Sequence, residues 1–266
     1  MNKYKIITRI EQFAPLETQE KWDCSGWLVE TENQDIKKIM LCLTVTDDVV
    51  RQAREQNCDM IISHHPLFTV PLNYHLAPAG RGRSCSRARA SVTNAGEGYK
   101  SLDIYCAHTN LDRAHGGTTD TLIRKLFPRP DGERIEFLSE CSELRNSGEG
   151  FTRYINYETS LQDFVERLKK ISPHLRYVNN NGVTELKRIA FCAGSGTEFI
   201  QEAFENGADA LVTGDLKFHT ALDSPIVVFD IGHFESEVLV LPVFEQIIGD
   251  DVEFVYAKEK SPFISI

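Results

Sequence analysis

The stretch KIMLCLTVTDDVVRQAREQNCDMIISHHP, residues 38–66, reads as a strand, a helix and a second strand. Residues 38–45 are mostly apolar and bounded by polar residues, which suits a buried strand. Thr46 stands where a helix N-cap belongs, and a helix across 47–57 puts Val49, Val50 and Ala53 on one side. Asp59 then leads into the strand MIIS, which runs into His64 and His65. Strand, crossover helix and strand is the signature of a parallel α/β sheet.

The pattern returns 150 residues later, where Ile189, Phe199, Ala203 and Asp209 stand against Ile39, Val49, Ala53 and Asp59 without a gap. The strand IAFC (189–192), the turn GSGT, a helix across 197–206 ended by Asn206-Gly207, and the strand ALVTG repeat the order of the first stretch. Each copy then continues into a third strand. LDIYCA ends at His108-Thr-Asn-Leu-Asp112, and IVVFDIG ends at His233-Phe-Glu-Ser-Glu237, now at an offset of 125. The expected fold is therefore α/β, with two similar halves related by an internal repeat and a metal site in the cleft between them. The expected divisions are a first half at 1–128, a connecting segment at 129–187 with a helix over 161–171 and candidate short strands, and a second half at 188–266.

With 266 residues, 41% hydrophobic and 26% charged, the chain has the composition of an ordinary globular protein with room for a proper core. Its net charge of -10 argues against nucleic acid or an anionic membrane as the main partner. No apolar run reaches the ~18 residues of a membrane-spanning helix. Residues 1–15 have a helical period without the apolar core of a signal peptide. The Cys at 24, 42, 58, 85, 106, 141 and 192 are odd in number and form no C-x-x-C. They read as reduced, mostly buried thiols, and the expected location is cytoplasmic.

Histidines and carboxylates at strand ends carry the chemistry. The end of a strand in an α/β sheet is where ligands gather, and Pro66 holds His65 extended. Adjacent imidazoles there can serve two ions. Asp112 lies four residues after His108, and Glu237 four after His233, a spacing that brings each pair to one face if the segment is helical. His64, His65, Asp112, His233 and Glu237 are thus candidate ligands for zinc, iron or manganese. His108 and His219 are candidate proton carriers, and Asp215, at the repeat position of His65, is a candidate partner behind a ligand imidazole. His75, His115 and His174 lack such context and read as solvated. The turn Gly194-Ser195-Gly196-Thr197 reads as a tight turn with a cap, with a phosphate contact as the alternative.

Five motifs occur in order along nearly the whole chain: Trp22-Asp23 with Gly26; Ser63-His-His-Pro-Leu-Phe68; Ala107-His-Thr-Asn-Leu-Asp112 with Gly116-Gly117; Thr213-Gly-Asp-Leu-Lys-Phe-His219; and Gly232-His-Phe-Glu-Ser-Glu237. In these the chain resembles the GTP cyclohydrolase type 2 homologue, or Nif-three-like, dinuclear-metal-centre family. The resemblance implies two divalent metal ions per chain on His64, His65, Asp112, His233 and Glu237, with the glutamate bridging. It further implies a homo-oligomer, typically a hexameric ring, and a small-molecule substrate that the family name makes GTP, opened hydrolytically with release of formate. Hydrolysis of another phosphoester or amide, or a metal-binding scaffold without turnover, are the alternatives.

Two departures stand out. Cys24 occupies a place where the family usually has Asn, and 72–100 carries four Arg between 81 and 89 and little apolar period. That segment reads as a long loop with a short helix near 86–94.

Overall fold

In the computed structural model, which describes residues 1–66, 102–128 and 150–264, the stretch that opened the reading folds as its pattern requires. Strand β2 (Lys38–Thr44), helix α2 (Asp47–Glu55) and strand β3 (Met60–His65) form a parallel crossover unit. The Thr46 side chain accepts from Val49 N at 3.2 Å, which caps the helix. The expected features within 67–101 and 129–149, including His75, Cys85, Cys141 and the 86–94 helix, lie outside the described residues.

The chain divides into two units, Met1–His115 with Leu241–Lys260, and Gly116–Val240 with Ser261–Ile266. In the first unit, helix α1 (Lys3–Phe13) precedes β1 (Gly26–Val29), and β4 (Asp103–Cys106) leads into the short helix α3 (Thr109–Arg113). The sheet order is β1-β4-β3-β2-β10, where β10 is Glu253–Tyr256. β4, β3, β2 and β10 run parallel, and β1 is antiparallel at one edge. Met40, Cys42, Ile61, Ile104 and Cys106 face Val49, Val50 and Ala53 of α2. The alternate residues of β2, Ile39 and Leu41, are equally buried, so the sheet is covered on both faces.

The second unit holds α4 (Thr118–Leu126), β5 (Arg153–Ser160), α5 (Leu161–Leu168), β6 (Arg176–Val178), β7 (Glu185–Phe191), α6 (Ile200–Glu205), β8 (Ala210–Thr213), α7 (Phe218–Leu222), β9 (Val227–Asp230) and α8 (His233–Glu237). Its sheet order is β5-β7-β8-β9-β6, with β7, β8 and β9 parallel between antiparallel edges. Ile189, Phe191 and Val212 pack against Leu122 of α4 and Phe164 of α5, whereas Ala190, Cys192 and Leu211 pack against Ile200 and Ala203 of α6.

The internal repeat is carried into hydrogen bonding. Asp59 Oδ2 accepts from Lys37 N and Lys38 N at 2.8 and 3.0 Å, and Asp209 Oδ2 accepts from Lys187 N and Arg188 N at 2.7 and 2.9 Å. Asn57 (φ 55) and Gly207 (φ 73) both take the left-handed conformation that turns the chain after the crossover helix. β2, β3 and β4 thus correspond to β7, β8 and β9, each with a short antiparallel strand beside the third.

The boundaries at 1–128, 129–187 and 188–266 are corrected. Residues 241–260 return to the first unit, because α9 (Leu241–Ile248) packs on α1 and β10 completes the first sheet beside β2. Glu259 extends that bond by accepting from Leu43 N at 2.6 Å and Thr44 N at 2.9 Å. Residues 116–128 belong to the second unit through α4. The described part of 129–187 supplies both edge strands and one covering helix of the second sheet, so it is part of that unit and not a connector.

Candidate metal-binding residues

In the first unit the candidate residues stand at the C-terminal ends of β3 and β4. β3 continues through His65, paired with β2 as far as Thr44 and His65. His64 is fully buried, and its Nδ1 lies 2.9 Å from the Ala107 carbonyl oxygen. A carbonyl only accepts, so Nδ1 carries a proton, and in the neutral ring Nε2 keeps its lone pair. The His65 Nδ1 lies 2.7 Å from Thr44 Oγ1. The two rings are 5.0 Å apart between centroids. Asp112 sits on α3 with Oδ1 3.4 Å from His64 Nε2. His108 joins them: His64, His65 and His108 each offer a ligand atom, all within 4.8 Å of one another.

His108 is not on the helical face that its spacing to Asp112 predicts. It is the N-cap of α3, with φ -110 and ψ -106. Its Nδ1 lies 2.9 Å from Oδ1 of Asp23, a carboxylate fully buried between β1 and the preceding turn. The same carboxylate accepts from Cys24 N at 2.6 Å, Thr109 N at 3.0 Å, Ser25 Oγ at 3.1 Å and Thr109 Oγ1. Burial works against the Asp23 charge, but the His108 bond and charge, the Thr109 hydroxyl and the Cys24 amide prevail and hold it far below the usual carboxylate range. Position 24 contributes its backbone N–H, so Cys in place of Asn leaves that bond intact.

In the second unit His233 opens α8 and Glu237 closes it, one helical turn apart on one face, with His233 Nε2 2.9 Å from Glu237 Oε2. The His233 Nδ1 meets Asp215 Oδ2 at 2.7 Å, so the residue expected behind a ligand imidazole stands there. Asp215 takes φ 57, and the buried Asp230 carboxylate pins both sides of this arrangement by accepting from Leu216 N and Gly232 N at 3.1 Å each. Close-packed glycines make room. A Cβ on Gly194 would run into Glu237 Oε1 and come within 2.9 Å of its Cδ, and one on Gly214 would lie 2.8 Å from His233 N.

The two His-x-x-x-carboxylate pairs are not at equivalent positions, which corrects the spacing argument. Ala107 N donates to Ser63 O and Ile231 N donates to Thr213 O, so the third strands align at an offset of 124. Gly232, at φ 85, takes the cap place that His108 fills in the first unit, and His233 is one residue further on. One residue is a rotation of about 100° around a helix. His219 lies exposed on α7 and joins none of the metal-capable groups among the described residues. His115 and His174 are exposed, as expected. Asp23, Ser25 and Thr44 were not singled out for a role in the site. Only Asp23 had a signal, its place in the Trp22-Asp23 motif.

The donor set fits a divalent transition metal. The candidate ligands His64, His65 and His233 all have Nδ1 engaged by a protein oxygen, so each would bind an ion through Nε2, and the remaining candidate donors are carboxylates.

Without metal, His233 has an unusual titration. Burial favours its neutral form, but the bonds and charges of Glu237 and Asp215 outweigh burial and raise it from 6.5 to about 9. A raised histidine contributes stability that is present below its unfolded value and is lost as pH climbs through the folded value. Metal-free protein should therefore lose melting temperature between pH 6.5 and about 9, and His233→Ala should flatten that slope. Parallel slopes for the two proteins in thermal melts with a chelator would refute the assignment.

Among the described residues no helix is long and apolar enough to cross a membrane. The profile of the Duf34/NIF3 (NGG1p interacting factor 3) family matches residues 1–262. A GTP cyclohydrolase 1 type 2 homolog of Clostridium perfringens is 31% identical over 97% of each chain. NIF3-like protein 1 of Drosophila melanogaster is 28% identical, covering 98% of this chain and 88% of that one. Among solved structures, Staphylococcus aureus protein SA1388 superposes with a TM-score of 0.74 at 23% identity, over 100% of this chain and 99% of that one, a likeness of fold.

Proposed function

The chain belongs to the Duf34/NIF3 family, and from that premise we propose that it is a dinuclear-metal hydrolase whose two ions are held by His64, His65, Asp112, His233 and Glu237. The observation that carries this reading is the shared orientation of the imidazoles. In both units a protein oxygen occupies Nδ1 and a carboxylate stands beside Nε2, at 3.4 Å for His64 and Asp112 and 2.9 Å for His233 and Glu237. A histidine kept only for packing has no need of both. Zinc, iron and manganese all suit this mixture of nitrogen and oxygen donors.

The chemistry supplied by two divalent ions at such a donor set is activation of water and polarisation of an electrophile. The protein's own part is to hold the donors without reorganisation. β3 lies between β2 and β4 and stays paired with β2 as far as His65, which anchors the backbone that carries both histidines. The Ala107 carbonyl sets the tautomer of His64, and Asp215 orients His233 through Nδ1. His108, beside His64 and His65, is the side chain placed to carry a proton. His219 is less suited to that role, being exposed on α7.

The name of the Clostridium perfringens relative points to GTP as substrate. In that reaction one water adds at C8 and opens the imidazole ring to a formamide, and a second water hydrolyses the formamide, so that both ring nitrogens end as amines and C8 leaves as formate. A ring-shaped homo-oligomer is the assembly in which we place the reaction. Protein loaded with zinc, iron or manganese and incubated with GTP should release formate, and Asp112→Ala should abolish the release while the fold survives. Fully loaded protein that turns over neither GTP nor a panel of phosphoesters and amides would leave a metal-binding scaffold as the function.

A further inference from the structure

The Asp23 carboxylate has no part in the ligand set, yet it is among the most heavily hydrogen-bonded side chains of the first unit. It is fully buried, and it receives five donors: His108 Nδ1, Cys24 N, Thr109 N, Thr109 Oγ1 and Ser25 Oγ. Three of these come from His108 and Thr109, the residues at the cap of α3. Ser25 closes the loop, because its Oγ also accepts from His108 N at 3.0 Å. Asn110 Oδ1 shares that amide at 3.0 Å, and Asn110 Nδ2 is tied to the Ala14 carbonyl at 2.7 Å. The cap is therefore fixed in position by contacts on every side.

This much anchoring exceeds what a helix of five residues needs. A neutral Ser or Thr suffices for an N-cap, whereas a buried carboxylate costs free energy unless it is paired. An ionised Asp23 is acceptor-only, so His108 must donate to it through Nδ1–H, and Nε2 becomes the nitrogen turned away from Asp23. The His108 ring meets His64 and His65 edge-on, at 5.2 and 5.5 Å between centroids, and Trp22 closes over it at 5.9 Å.

We propose that Asp23 is the positioning residue for His108, locking its imidazole as the Nδ1–H tautomer so that Nε2 is presented beside the His64 and His65 donors as a proton carrier. The role as proton carrier rests on the metal-hydrolase reading; the tautomer lock stands apart from it. Asp23 touches no substrate. It acts by removing the alternative tautomer and the alternative ring orientation.

The test is nitrogen NMR on the full chain labelled with 15N-histidine, metal-free and with neutral imidazoles, together with turnover of metal-loaded protein. Wild-type His108 should be the Nδ1–H tautomer. Asp23→Asn offers an amide donor to Nδ1 and should shift His108 towards Nε2–H. Ser25→Ala removes a bond to the same carboxylate without touching His108 Nδ1, and should leave the tautomer unchanged. Asp23→Asn should keep its metal content by elemental analysis, and formate release from GTP should fall by about 10²–10⁴-fold in kcat with KM little changed. Wild-type His108 as the Nε2–H tautomer would overturn the proposal, and that measurement needs no variant to fold. An unchanged tautomer in Asp23→Asn would overturn it too, as would a changed tautomer with undiminished turnover. If wild-type protein releases no formate, the hydrolase reading fails, while the tautomer comparison still decides the lock.

Discussion

His64→Ala and His65→Ala should each lower divalent-metal affinity by more than about 100-fold, beyond the ~10–100-fold typical of losing a residue that only braces a ligand. The two side chains sit at the end of an internal strand of the first sheet, paired with β2 as far as His65 and with β4 as far as Ser63. No neighbouring backbone can move to replace a lost nitrogen. The His64 Nδ1 bond to the Ala107 carbonyl sets the tautomer a metal needs, and the His65 Nδ1 contact with Thr44 Oγ1 orients the second ring. Asp215→Asn, which leaves the His233 nitrogen in place but weakens its orientation, should fall in the lower range. His174→Ala, on an exposed histidine, should change nothing. Isothermal titration with zinc under controlled buffer conditions separates the three classes. Equal effects of the His64 and His174 substitutions would remove the first unit from the metal site.

Gly194→Ala is the substitution with the next largest expected effect. Gly194 takes φ 68, and its backbone is held on several sides: its N donates to Ser236 Oγ at 2.9 Å, and its carbonyl accepts from Gly214 N at 2.7 Å and Thr213 Oγ1 at 3.1 Å. The chain cannot move aside. A new methyl group would occupy the place of the Glu237 carboxylate and approach His233 Cε1 at 3.6 Å. The backbone conformation alone costs about 1–2 kcal/mol for an L residue. Displacing a buried carboxylate that pairs with His233 adds to it. Gly207→Ala is the matched control, since Gly207 has φ 73 and nothing within 4 Å of the added carbon. Both variants should lose stability in chemical denaturation, but only Gly194→Ala should also lose metal affinity. Unaltered zinc binding in Gly194→Ala would mean that Glu237 is not a ligand.

Much of the fold was legible because it is built from local signals repeated twice. Thr46 before an apolar helical stripe, Asn57 and Gly207 at left-handed turns, and Asp59 and Asp209 bracing the preceding strand all act within about 20 residues of their partners. The two crossover units followed from those signals. The return of residues 241–260 to the first sheet was not legible. β10 is a short strand whose partner β2 lies more than 200 residues earlier, and nothing in EFVY states which edge it joins. The edge strands β5 and β6 were legible only as candidate short strands within 129–187: Tyr154 is buried but its neighbours alternate between half-buried and exposed, so the apolar signal is weak.

The candidate site shows the same division. The candidate residues stood out as histidines and carboxylates at strand ends, but of their bracing partners only Asp215 did. Asp23 is 85 residues from His108, and Thr44 is 21 from His65. The spacing His-x-x-x-carboxylate, read identically in both copies, concealed one inserted residue. Gly232 at φ 85 changes a capping histidine in the first unit into a helical one in the second. That single residue separates a histidine held by Asp23 from a histidine paired with Glu237, and no periodicity reports it.

Anomalous diffraction from zinc-loaded crystals would decide whether the donors of the two units form one centre. Two peaks within coordination distance of His64, His65, Asp112, His233 and Glu237 are expected, with Glu237 touching both. A single ion held by His64, His65 and His108 alone, or ions bound only to exposed carboxylates, would contradict the two-metal centre.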